Sequence, residues 1–226
     1  MHKRGETERV TLGRMQNPVR GILHGSAAVV SVVGIGFLIL AGTGTLSRIA
    51  LGSFGLALVF LFTVSALYHS VPWQAGRKRL MQRLDHSAIF TLIAGSYTAV
   101  GGIAIDGWFK WATLAVVWAV GLAGITHNVF FPRESQGLSI ALLLIMGWLG
   151  VLAAKPLVEA IGGGGFTILL LGGLLYTMGT IIMVTGRPRL WPRVFSSHEL
   201  FHVLVIGAAS LHFVVAVRYV APLAAV

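Results

Sequence analysis

The sequence contains no cysteine. That excludes disulfides, thiolate metal ligands and a cysteine nucleophile together. Charge is scarce as well: 11% of the 226 residues are Asp, Glu, Lys or Arg, against about a quarter in soluble domains. Acids are rarest, seven in all, so seventeen Lys and Arg leave a net charge of +10. Glycine-rich stretches occur at 161–165, 172–173 and 101–102. None is followed by a G-K-[ST] lysine or set in a strand–turn–helix, so a nucleotide loop is excluded. They read as places of close helix contact. Residues 1–20 lack the apolar core and cleavage site of a signal peptide and read as a cytosolic tail.

What is abundant is apolar surface. Hydrophobic residues make up 56% of the chain and mean hydropathy is +0.84. Seven segments, at about 20–43, 49–70, 86–105, 111–131, 137–154, 163–184 and 199–220, approach bilayer-spanning length. Lipid offers the backbone no partner, so each is expected to be helical. A β-barrel is rejected because the stretch around 51–62 is continuously apolar rather than alternating. The expected fold is an all-α integral membrane protein, a seven-transmembrane helix bundle over 20–220. A basic tail (1–19) precedes it and a short tail (221–226) follows. Asn17-Pro18 reads as a helix cap and first position. Ser196 and Glu199 have capping-box spacing ahead of the last segment. Trp73, Trp111, Trp148 and Trp191 fall near segment ends, as an interfacial belt requires.

The basic residues explain themselves without nucleic acid, and no nucleic-acid partner is expected. With the N-terminus inside, the inner side carries 13 Lys/Arg: five in residues 1–20, then Arg77, Lys78, Arg79, Arg83, Arg133, Arg187, Arg189 and Arg193. The outer side carries four, Arg48, Lys110, Lys155 and Arg218. This bias places the N-terminus in the cytoplasm and the C-terminus outside. Residues 71–85 read as a loop whose basic part rests on anionic lipid.

Against this apolar background one string has metal-site grammar, HELFH at 198–202. His198 and His202 are four apart, share a helix face and can hold one zinc ion. Ionisable groups near bilayer depth are costly and tend to work together. In the expected topology His69 closes the second segment on the cytoplasmic side, Asp85 opens the third, and the histidine pair opens the seventh. All four then lie at one depth. Three imidazoles, His69, His198 and His202, leave a tetrahedral zinc one open position for water. Asp85 could serve as general base, and Ser65, one turn from His69, could orient an imidazole or donate to a substrate carbonyl. Such a site attacks amides or esters, and its position favours membrane lipids as partners and substrates.

Each residue also has a plainer role open to it. Histidines in a bundle hydrogen-bond between helices, Asp85 beside Arg83 could cap or pair, and Ser65 could simply pack. HELFH also fits H-E-x-x-H, where Glu199 would be a protease base. The capping box gives Glu199 a structural role instead. His24 is placed near the site as a supporting residue, His86 is expected to point elsewhere, and His127 and His212 to pack or cap.

Four pieces, NPVRGILHG (17–25), SALYH (65–69), RLDHSAIF (83–90) and HELFHVLVIGAASLHF (198–213), carry a resemblance to the hemolysin III family. This is the bacterial branch of the progestin and adipoQ receptor superfamily. The resemblance implies zinc on His69, His198 and His202, with Asp85 and Ser65 beside it. It also implies a multi-pass location in the bacterial inner (plasma) membrane. The wider group resembles alkaline ceramidases, which implies hydrolysis of lipid amides. A receptor-like sensor with a structural zinc, and a cytolysin or channel, are the other functions the resemblance leaves open. Substrate and oligomeric state are not fixed by the sequence.

Overall fold

The apolar runs wind into helices. A computed structural model describes residues 12, 15–131, 136–191 and 194–225. Its helices are α1 (Pro18–Ala41), α2 (Thr45–Ser70), α3 (Ala75–Ala104), α4 (Gly107–Phe130), α5 (Gln136–Trp148), α6 (Ala154–Thr185) and α7 (Ser197–Val215). A 3-10 stretch, Leu149–Ala153, joins α5 to α6. Beyond α7 the chain continues through a π turn, Ala216–Val220, into a 3-10 end at Ala221–Ala225. No β-strand occurs among the described residues. Most of the basic tail, Pro132, Arg133 and Arg193 lie outside them.

Two expected boundaries are corrected. The third helix starts at Ala75, not near 86, so the expected loop shrinks to residues 71–74. Hydropathy drops across Arg77, Lys78, Arg79 and Arg83, but Arg, Lys, Leu, Met and Gln are all good helix formers. The basic stretch is therefore the exposed first turns of α3. Residues 155–161, expected as a connector, are helical as well.

Among the described residues, six stretches are long and apolar enough to cross a membrane. One of them, Gly137–Thr185, is 49 residues long and does not run straight. At Gly162 φ is 69° and ψ 167°, a conformation open almost only to glycine. The Trp148 indole N–H donates to the Thr177 hydroxyl at 3.0 Å, although a straight helix would separate them by about 43 Å. The stretch therefore folds back on itself at Gly162. Trp148 thus points inward, while Trp111 and Trp191 are exposed near helix ends.

Small residues set the helix spacing. A Cβ on Gly55 would lie 2.8 Å from the Ile35 side chain, and one on Gly95 3.0 Å from Ala57. Close approach of this kind is how helices associate where lipid removes the hydrophobic drive between them. The outer surface is correspondingly apolar, with Leu40 81% and Leu46 83% exposed. The Gly162 reversal gives a direct test. Gly162→Ala should lower stability by about 1–3 kcal/mol, whereas Gly163→Ala, with nothing within 4 Å of a new Cβ, should not. Thermal unfolding in detergent followed by tryptophan fluorescence reads the difference.

Candidate metal centre and cavity

α1 brings distant histidines together. It runs antiparallel to α2: the Asn17 N–H donates to the His69 carbonyl at 3.0 Å, and a Cβ on Gly21 would collide with the Ser70 hydroxyl. Asn17 therefore precedes the helix as expected, but its side chain makes no cap. α1 also runs parallel to α7. Arg20 Nε donates to Glu199 Oε1 at 2.7 Å, the His24 and His202 rings lie 3.9 Å apart, and a Cβ on Gly34 would lie 3.1 Å from the Phe213 ring. With both registers fixed, the last turn of α2 meets the first turns of α7.

His69, His198 and His202 meet there. Their ring centroids are 5.1, 4.8 and 5.0 Å apart, and one nitrogen from each lies within 4.8 Å of the others. Tetrahedral zinc would want about 3.3 Å between ligand nitrogens, given Zn–N bonds near 2.0–2.1 Å, a small side-chain rotation away. His69 Nε2 and His202 Nδ1 are buried without a hydrogen-bond partner. Such orphans are rare and cost free energy unless an ion or water satisfies them. The cluster could hold a metal ion, and its all-imidazole donor set suits zinc, copper, iron or nickel.

Beside the cluster lies a cavity of about 1100 Å³, just above the usual range of ligand-pocket sizes. His198, His202, Asp85, Ser65 and Tyr68 line it, and His69 does not. Ser65 is buried, and it shares the cavity wall with Asp85 across the α2–α3 contact. His86 does not point elsewhere as expected; it lines the same cavity. His24 is where the sequence placed it, its ring tilted against that of His202. His212 packs, its Nε2 3.2 Å from the Leu169 carbonyl. His127 lies 3.3 Å from the Ser139 hydroxyl.

Glu199 is a structural acid. It is 1% exposed and does not line the cavity. One oxygen holds Arg20, and the other accepts the Ser196 N–H at 2.8 Å, so the capping box forms and the protease-base reading loses its support. Arg20 is the functional residue that sequence reasoning missed. It looked like part of the basic tail, and its partner lies 179 positions away. No local pattern could have paired them.

The family model described as Haemolysin-III related matches residues 13–213. The chain belongs to that family. Hemolysin-3 of Bacillus cereus is 36% identical over 206 residues, covering 90% of this chain and 91% of that protein. The hemolysin-3 homolog of Bacillus subtilis (strain 168) is 33% identical over 195 residues, covering 85% and 88%. Heptahelical transmembrane protein 5 of Arabidopsis thaliana is 30% identical over 173 residues, covering 69% of this chain and 46% of that protein. With six apolar spans among the described residues, this haemolysin-III family member is a multi-pass membrane protein.

Removing one partner of a buried ion pair strands the other charge. Arg20→Met should therefore destabilise the protein by about 3–5 kcal/mol, far more than Arg77→Met on the exposed start of α3. Denaturant unfolding of the two purified variants measures the gap.

Proposed function

We propose that this protein is a zinc-dependent hydrolase of lipid amide or ester bonds, crossing a bacterial plasma membrane seven times. Three imidazoles that meet beside a large, mainly apolar cavity, two of them in its wall, carry the reading. The fold-back at Gly162 supports the seventh crossing, because each arm, 137–161 and 163–185, is long enough to span. The 13-to-4 distribution of Lys and Arg supports an inner N-terminus and an outer C-terminus. The histidines then open toward the cytoplasmic leaflet.

Bound zinc would supply Lewis acidity and activation of water. The protein's own groups do the rest. His69, His198 and His202 would hold the ion through neutral ring nitrogens. Asp85, facing the cavity, would take a proton from the water whose oxygen bonds to the carbonyl carbon and return it to the leaving amine or alcohol as the carbonyl–heteroatom bond breaks. Ser65 holds that carboxyl in place. Apolar walls take the lipid chains, and the Arg20–Glu199 pair with His24 fixes the α7 ligands.

One observation favours a second reading, a metal that only staples α2 to α7: His69 lies outside the cavity lining. A cytolytic role has only the relatives' printed names behind it.

Purified protein should hold about one zinc per chain, and His69→Ala, His198→Ala or His202→Ala should each lose most of it. Asp85→Asn separates the two readings. It should keep zinc and melting temperature while lowering kcat on ceramide-like or ester lipids by about 10²–10⁴-fold; full activity would leave only the staple. Orientation is testable because the chain lacks cysteine. A membrane-impermeant maleimide on intact cells should label Asp106→Cys, whose native side chain is 99% exposed, and not Arg77→Cys. The reverse pattern would invert the topology.

A further inference from the structure

A second polar station lies on the opposite wall of the cavity, at the start of α5 and the end of α4. Ser139 Oγ donates to Asn128 Oδ1 at 2.6 Å and lies 3.3 Å from His127 Nδ1. That triangle satisfies the Asn128 carbonyl oxygen but not its amide nitrogen. Asn128 is 7% exposed, lines the cavity, and its Nδ2 has no partner. Two buried N–H donors wait for an acceptor that the surrounding protein does not supply.

The α3–α4 register says what lies opposite. Gly124 packs on the Phe90 ring and the Trp118 indole donates to Thr98, so the two helices are antiparallel with Asn128 level with Asp85 and His86. One and two turns nearer the helix start, Arg83 and Arg79 line the same cavity. Farther in, the walls are mainly apolar, with Ile89, Ile93, Leu143 and Leu157 among a few polar groups such as Ser96 and Thr177. The order along the cavity is therefore two guanidiniums, an unfilled amide donor level with Asp85 and His86, and a mainly apolar tube.

We propose that Asn128, with Arg83 and Arg79, anchors the anionic oxygens of a lipid head group whose chain lies in this cavity. Arginine and amide N–H groups match phosphate or carboxylate oxygens. A neutral head would leave both guanidiniums unused. This deepens the hydrolase reading by naming an anionic lipid class. It rests on the cavity holding lipid and does not require the metal.

The test is binding, not turnover. The full chain in neutral detergent is titrated with radiolabelled oleoyl lysophosphatidate and with mono-oleoyl glycerol, and inorganic phosphate is added as competitor. Lysophosphatidate should bind at least about tenfold more tightly, and Asn128→Leu and Arg83→Gln should each remove most of that preference. A chelator should leave it unchanged. Equal binding of the two lipids overturns the proposal, as does a full preference in a folded Asn128→Leu variant. Complete displacement by millimolar phosphate would make this a site for the free ion and overturn the lipid assignment. If Asn128→Leu fails to fold, Arg83→Gln, at a partly exposed position, decides. Preference retained in a protein that binds no zinc would sink the hydrolase reading alone; zinc bound without preference would sink only the anchor.

Discussion

A buried ion pair governs where the histidines meet. Arg20 and Glu199 lie 2.7 Å apart with their side chains 11% and 1% exposed. In such surroundings neither charge can be left alone, because desolvation of an unpaired ion costs several kcal/mol. The first turn of α1 must therefore dock on the first turn of α7. The pair adds little net stability over an apolar equivalent, but it fixes the register. Its second use is the cap: the other Glu199 oxygen closes the α7 N-terminus on Ser196, where the helix dipole favours an acid.

From that register the rest follows by helix geometry. One turn beyond Arg20 on α1 lies His24, and about one turn beyond Glu199 on α7 lies His202, so the two rings meet, tilted against each other. Antiparallel packing of α1 on α2, close enough that Gly21 has no room for a side chain beside Ser70, lays His69 against the same spot. The imidazoles are thus held by backbone register on three helices rather than by flexible loops. A site supported in this way keeps its geometry through rigid elements. It also leaves the adjoining cavity free to carry the polar groups, Asp85 and Asn128, that face its contents.

The bundle itself was legible in the sequence, because apolar runs of bilayer length admit little else. The meeting of His69, His198 and His202 was legible because polar residues at one depth stand out against lipid-facing neighbours, and Asp85 and Ser65 line the cavity beside it. Boundaries were less so. α3 extends back to Ala75 because helix propensity continues where hydropathy stops. The connector expected after 154 is helix because only one residue, Gly162, makes the reversal. Pairings across 179 positions, Arg20 with Glu199, left no local trace. Nor did the Asn128–Ser139 contact, which depends on how α4 and α5 approach each other.

The central claim is that three imidazoles from α2 and α7 converge on one metal ion. Zinc K-edge X-ray absorption on the purified wild-type protein tests it most directly. The account predicts three imidazole nitrogens at about 2.0–2.1 Å and one further light-atom ligand. A spectrum fitted by two imidazoles or fewer, or a protein that takes up no zinc when it is offered, would contradict it.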